Sequence, residues 1–180
     1  MRVMVAIDDS DESFYALQWV LDNPFSRLMT APPPPAAAAA AGHDSGSGLL
    51  TLVHVQQPFQ PYGFPAASSA GVSVFYPTST VVYSVRKSQE EISAALLSRA
   101  LNMCRDKMIK AETLILEGDP KDKICEISEE MNVDLLVVGS RGLGKIKRAF
   151  LGSVSDYCAH HANCPTLIVK PPPKEASSNK

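Results

Sequence analysis

Gly139, Gly142, Gly152 and Ser153 stand in the spacing G-x2-G-x9-G-[S/T]. Glycine lacks a Cβ, so the backbone at Gly139 and Gly142 can turn tightly and come close to a ligand. Gly152-Ser153 reads as the start of a further helix, where unpaired N–H groups and the positive dipole end suit phosphate oxygens. The combination predicts a phosphate cradle with two walls, a glycine turn and a helix N-terminus. Two commoner phosphate motifs nearly fit and fail. Gly139 to Lys145 has the G-x-x-x-x-G-K of a Walker loop, but Ile146 stands where Ser or Thr would ligate magnesium. G-x-G-x-x-G starting at Gly142 fails because Lys147 holds the last glycine's place. The competing reading of these glycines is a purely structural turn.

Asp8 is the candidate outside this loop. A carboxylate at the carboxyl end of a strand lies where open α/β sheets take their ligands. It repels bare phosphates, so it would meet ribose hydroxyls, the base or a bridging divalent cation. The alternative is a helix-capping group, and Asp9 reads as a turn or cap residue. Lys145, Lys147 and Arg148 fall inside the glycine loop, either as a solvated face or as phosphate contacts. His54 reads as a satisfied structural histidine and His43 as idle. His160 and His161 end a helix, where they complement its negative end.

These groups must be positioned by alternating strands and helices. Val3–Ile7, 49–55 and Asp134–Val138 are apolar runs without polar alternation, as expected of strands covered on both faces. Glu112–Glu117 and Thr166–Val169 complete the strands. Ser10 caps a helix with Asp11 and Glu12 in its first turn and Phe14, Leu17, Val20 and Leu21 facing inward; Trp19 packs. A long helix is expected from about Val85 to Lys110, with Ile92, Leu96, Ala100, Cys104 and Met108 repeating every four residues. Asp119-Pro120 starts another helix, with Ile124 and Ile127 inward. A last helix runs from Ser153 through His161. This alternation predicts an α/β fold with a parallel sheet and right-handed crossovers.

Two stretches break the pattern. Residues 30–48, prolines then alanines then Gly/Ser, read as a low-complexity insertion. Residues 56–86 hold Pro, Gly, Ser and the aromatics Phe59, Tyr62, Phe64, Phe75, Tyr76 and Tyr83, which suggests a flap near the ligand or a surface for protein partners.

The chain has 180 residues, 45% of them hydrophobic and 20% charged, which suits one globular domain. A net charge of −2 gives no general pull toward nucleic acid or anionic lipid. The cysteines Cys104, Cys125, Cys158 and Cys164 show no C-x-x-C spacing, so a reducing compartment is expected. No apolar run is long enough for a membrane helix and Met1-Arg2 leads straight into a strand, so a cytosolic address is expected, with a nuclear pool left open.

The run Ser140-Arg141-Gly142-Leu143-Gly144 and the Gly152-Ser153-Val154-Ser155 helix start resemble the nucleotide-binding signature of the universal stress protein family, in its ATP-binding subclass and plant members. The resemblance covers most of residues 1–170, leaving 171–180 as a polar tail. It implies a single three-layer, doubly wound, Rossmann-like domain with a five-stranded parallel sheet of order 3-2-1-4-5. It also implies a site for ATP or AMP, with Mg2+ or Mn2+ riding on the phosphates. Gly139, Arg141, Gly142, Gly144, Lys145, Gly152, Ser153, Val154 and Ser155 would hold phosphates, with Asp8 and the backbone of Val55 toward the nucleoside. A homodimer through 166–170 follows from the same resemblance. The implied role is a nucleotide-binding and signalling module. A slow ATPase or phosphotransferase and a chaperone-like scaffold are the rivals. Neither S-G-G-x-D-S nor H-I-G-H, signatures of nucleotidyl transfer, is present.

Overall fold

The computed structural model describes residues 1–23, 50–58, 64–68, 71–75, 78–141 and 151–172, with backbone alone for 64–68 and 71–75. The insertion 30–48, Gly142, Gly144, the cluster Lys145, Lys147 and Arg148, and most of the tail therefore lie outside the described residues. In chain order the elements are β1 (Val3–Ala6), α1 (Asp11–Asp22), β2 (Leu50–Gln56), β3 (Phe64–Ser68), β4 (Gly71–Phe75) and α2 (Ser79–Asp106). There follow β5 (Ala111–Glu117), α3 (Pro120–Glu130), β6 (Leu135–Gly139), α4 (Ser153–His161) and β7 (Thr166–Val169).

Five strands form a parallel sheet in the order β5-β2-β1-β6-β7. Counted along the chain without β3 and β4, this is the order 3-2-1-4-5. The unbroken apolar strands follow from cover on both faces. Val3, Val5, Leu50, Leu52 and Val137 pack on one side with α1 and α2, through Phe14, Leu17, Leu97 and Ala100. Met4, Val53, Leu136 and Val138 pack on the other with Ile124 of α3 and Cys158 of α4.

Local chemistry sets the helix starts. Ser10 accepts the Ser13 N–H at 3.2 Å, while Asp11 and Glu12 complement the dipole. Asp119 accepts the Lys121 N–H at 3.2 Å, with Pro120 in the first turn, where its missing N–H costs nothing.

The expectation for α2 needs correction. Helix α2 starts at Ser79, not near Val85, and leaves its axis at Lys107. Its inward face is Ser93, Leu96, Leu97, Ala100 and Cys104. Ile92 is 63% exposed and Met108 89% exposed. A strict four-residue repeat drifts about 40° per step around a 3.6-residue helix, so its ends rotate out of the core. Met108 has also left the helix, with φ of 56°. The 56–86 stretch, expected as a flap or a partner surface, carries regular structure among its described residues. It contains the antiparallel hairpin β3–β4, paired Phe64↔Phe75 through Ser68↔Gly71. Alternation there is masked by Pro65 and the small residues Ala66 and Ala67.

Gly139 serves a purpose other than ligand approach. A Cβ there would lie 3.0 Å from the backbone C and O of Glu12 and the N of Ser13. The missing side chain lets the first turn of α1 rest on the end of β6. Gly139→Ala should destabilise the fold by about 1–3 kcal/mol in urea titration, because backbone rather than a flexible side chain must yield. An unchanged midpoint would show that α1 yields without cost.

The cysteines are all free. Cys125 and Cys158 bring α3 and α4 together with sulfurs 3.9 Å apart. Burial pushes the Cys158 thiol up to about 12 and that of Cys104 to about 11, from an ordinary 9.0. The unfolded chain therefore loses these protons first, and stability should fall as pH rises from 9 toward 12. At pH 8 an aromatic disulfide reagent should reach Cys125 and Cys164 before unfolding, and Cys104 and Cys158 only on unfolding. Four fast thiols in folded protein would contradict this packing.

Candidate functional site

The carboxyl ends of β1, β2 and β6 open into a cleft of about 880 Å³. It sits where the chain reverses its direction of travel across the sheet, with β1 flanked by β2 on one side and β6 on the other. Three walls come from the elements that leave these strands. Asp8, Asp9 and Ser13 belong to the β1–α1 junction, and Gln89, Ile92 and Ser93 to α2. Gly139 and Arg141 continue from β6, and Gly152, Ser153, Val154 and Ser155 begin α4. Val55 lines the cleft at the end of β2.

Of the residues singled out from sequence, Asp8, Val55, Gly139, Arg141, Gly152, Ser153, Val154 and Ser155 thus meet around one space. Gly142, Gly144 and Lys145 lie outside the described residues.

The start of α4 is built from β6. Gly152 donates its N–H to the Ser140 carbonyl at 2.8 Å, and Ser140 donates its own to Val169 at 2.8 Å. The buried Ser155 hydroxyl lies 3.1 Å from the Ser140 carbonyl and 2.9 Å from that of Gly152. Residues on either side of 142–150 are thereby brought together. Gly152 is the N-cap and supplies no side-chain hydrogen bond. The first N–H groups of an α-helix lack intrahelical acceptors, so α4 presents the cleft with an electropositive end.

Asp8 orders the helix cap and also lies on the cleft wall. Its Oδ1 accepts the Ser10 N–H at 3.1 Å and also the Ser10 hydroxyl, which orders the cap of α1. Ser13 in turn donates its hydroxyl to the Asp8 carbonyl at 2.8 Å. The carboxylate nevertheless lines the cleft. Among the described residues no group of three or more His, Cys, Asp or Glu is arranged to hold a metal ion.

Sequence reasoning passed over the polar wall from α2. Gln56 donates from Nε2 to the Ser93 hydroxyl at 2.7 Å and the Gln89 carbonyl at 3.2 Å. Gln89 donates to the Gln57 carbonyl at 3.3 Å. These bonds clamp the end of β2 to α2. One signal was available: Ser93 is a polar residue on the inward face of α2 and is only 2% exposed. The glutamines carry none, since surface helices are rich in them.

Residues 1–170 match the family model of the universal stress protein family. The chain belongs to the universal stress protein family. The universal stress protein A-like protein of Arabidopsis thaliana is 36% identical over 121 residues, 67% of this chain and 66% of that relative. The Arabidopsis universal stress protein PHOS34 is 28% identical over 182 residues, 95% of this chain and 62% of its own length. The chain thus covers a little under two thirds of each of these curated relatives. Among solved structures, a universal stress protein family protein from Arabidopsis thaliana with AMP bound superposes with a TM-score of 0.58 at 25% identity. That match covers 99% of this chain and 97% of the other. UspA from Lactobacillus plantarum shares the fold with a TM-score of 0.64 at 18% identity, over 94% of this chain and 97% of that one.

Ser155→Ala should cost about 1 kcal/mol in urea denaturation, because it removes the hydroxyl that joins the start of α4 to Ser140. A variant as stable as the parent would mean that the Gly152 N–H alone fixes that junction.

Proposed function

We propose that this universal stress protein family member binds an adenine nucleotide, AMP or ATP, in the cleft and acts as a nucleotide-dependent stress-response module. The observation that carries the reading is convergence. Residues from the first strand, the second strand, the end of β6 and the start of α4 line one space, although they are far apart in the chain. A space of 880 Å³ falls within the range that holds small ligands. The N-terminus of α4, which has no side-chain cap, offers N–H donors to phosphates, and Arg141 lines the same cleft. Gly142, Gly144 and Lys145 would add phosphate contacts in the same reading. Asp8 and Val55 stand at the nucleoside end. The relative solved with AMP supports the same assignment.

Asp8 and Asp9 are the carboxylates on the cleft wall, too few to cage a divalent ion unaided. Mg2+ or Mn2+ would therefore arrive with the phosphates and share at most Asp8. The homodimer belongs to the same reading, since β7 forms one edge of the sheet and an uncovered edge invites pairing. A monomeric mass at micromolar concentration would remove that part alone.

Protein purified without added nucleotide, denatured and examined by mass spectrometry, should release AMP or ATP, or else bind added AMP in calorimetry. A sharper test is Ser153→Glu. A carboxylate in the first turn suits the helix dipole, so folding should be preserved. Phosphate binding should fall by about tenfold or more through like-charge repulsion, while adenosine should bind as before. Equal losses for AMP and adenosine would overturn the placement of phosphates at α4.

A further inference from the structure

Strand β2 outruns its neighbour. Pairing with β1 ends at Ala6↔Val53, while β2 continues through His54, Val55 and Gln56. In an extended strand the N–H and C=O of one residue point to the same side, and those of the next residue point to the other. Val53 turns toward β1, because its carbonyl accepts the Ile7 N–H at 2.8 Å. Gln56 turns away from β1, because its carbonyl accepts the Gly118 N–H at 2.9 Å beyond the end of β5. By this alternation Val55 turns both backbone groups to the side that β1 has vacated. Continuing the ladder would give its N–H one acceptor, the Ile7 carbonyl.

Among the backbone hydrogen bonds of the described residues none runs from Val55 to that carbonyl, and a side chain bonds it instead. His54 Nδ1 lies 2.8 Å from the Ile7 oxygen. A carbonyl only accepts, so Nδ1 carries the proton and donates it there. The imidazole stands where the next rung of the sheet would form. Val55, which lines the cleft, keeps a donor and an acceptor side by side on its edge. The clamp from Gln56 to Ser93 and Gln89 holds that edge in place.

We propose that His54 is a positioning residue for the base of the bound nucleotide: by claiming the Ile7 carbonyl it keeps the Val55 N–H out of the sheet and open to the cleft. The proposal rests on the nucleotide reading above and adds its selectivity. A neighbouring donor and acceptor match the N1 acceptor and exocyclic amino donor of adenine. Hypoxanthine presents the reverse pair, N1–H and a carbonyl oxygen, so AMP should be preferred over inosine monophosphate.

The test is amide hydrogen exchange by NMR on the full chain, with AMP and inosine monophosphate affinities measured alongside. In nucleotide-free wild type the Val55 amide should exchange about a hundredfold or more faster than that of Val53, and AMP should slow it. In His54→Val the Val55 N–H recovers the Ile7 carbonyl. Its exchange should slow at least about tenfold without ligand, AMP affinity should fall about tenfold, and the preference over inosine monophosphate should shrink. His54→Asn should behave as wild type, because Asn Nδ2 is bonded to Cγ as His Nδ1 is. Val53 exchange reports an intact sheet in each variant. If His54→Val loses that protection, wild type and His54→Asn decide the matter.

A Val55 amide as slow as that of Val53 in wild type would overturn the proposal. So would a His54→Val protein with an intact sheet and unchanged Val55 exchange and AMP preference. Wild type that binds no AMP would defeat the nucleotide reading instead, and the ligand-free exchange would still decide the role of His54.

Discussion

Beyond Ala6, β1 gives up its place in the sheet because Asp8 and Ser10 spend their hydrogen bonds on starting α1, and the cleft exists where that strand is missing. Asp8 accepts from Ser10, Ser10 accepts from Ser13, and Ser13 returns a bond to the Asp8 carbonyl. This closed set of short-range bonds turns the chain out of the sheet within a few residues. The neighbours β2 and β6 have no such turn at that level, so they overhang the gap. Two flanking strands that continue past a central one make a crevice with exposed backbone polar groups on its walls.

Two helix N-termini then face the same gap, and their chemistry differs. The start of α1 is neutralised, with Ser10 as its cap, Asp11 and Glu12 in its first turn and the Asp8 carboxylate beside it. The start of α4 has a glycine cap that supplies no side-chain hydrogen bond, with Asp156 as the one acidic residue of its first turn. Gly139 makes the two ends compatible, because a Cβ on it would lie only 3.0 Å from the α1 backbone at Glu12 and Ser13. One glycine therefore fixes the distance between the acidic and the electropositive wall.

The polar clamp at the far wall has a mechanical consequence. Gln56, Gln89 and Ser93 tie the free end of β2 to α2, a helix whose next inward residues are Leu96, Leu97 and Ala100. The overhanging strand is thereby held by the core and does not depend on β1 for its position. Rigid support of an unpaired strand end is what a binding edge requires, since ordering it on binding would subtract from affinity.

The sequence by itself determined the five strands of the parallel sheet and the starts of α1, α3 and α4. Each rests on short-range physics: apolar runs for strands covered on both faces, Ser10 and Asp119 as caps, and Gly152-Ser153 as a helix start that cannot cap itself. The bounds of α4 and β7 were legible for the same reason. The start and the inward face of α2 were misread, since a four-residue repeat looks like a helical face only until its drift carries Ile92 and Met108 into solvent. Tertiary structure alone decided that Gly139 accommodates α1, because the residue facing a missing Cβ lies far away in the chain. It alone also revealed that the His54 imidazole bonds the Ile7 carbonyl just past the end of β1. Those facts depend on which strand ends first, and a strand's end relative to its neighbour is a property of pairing, which no single stretch of residues encodes.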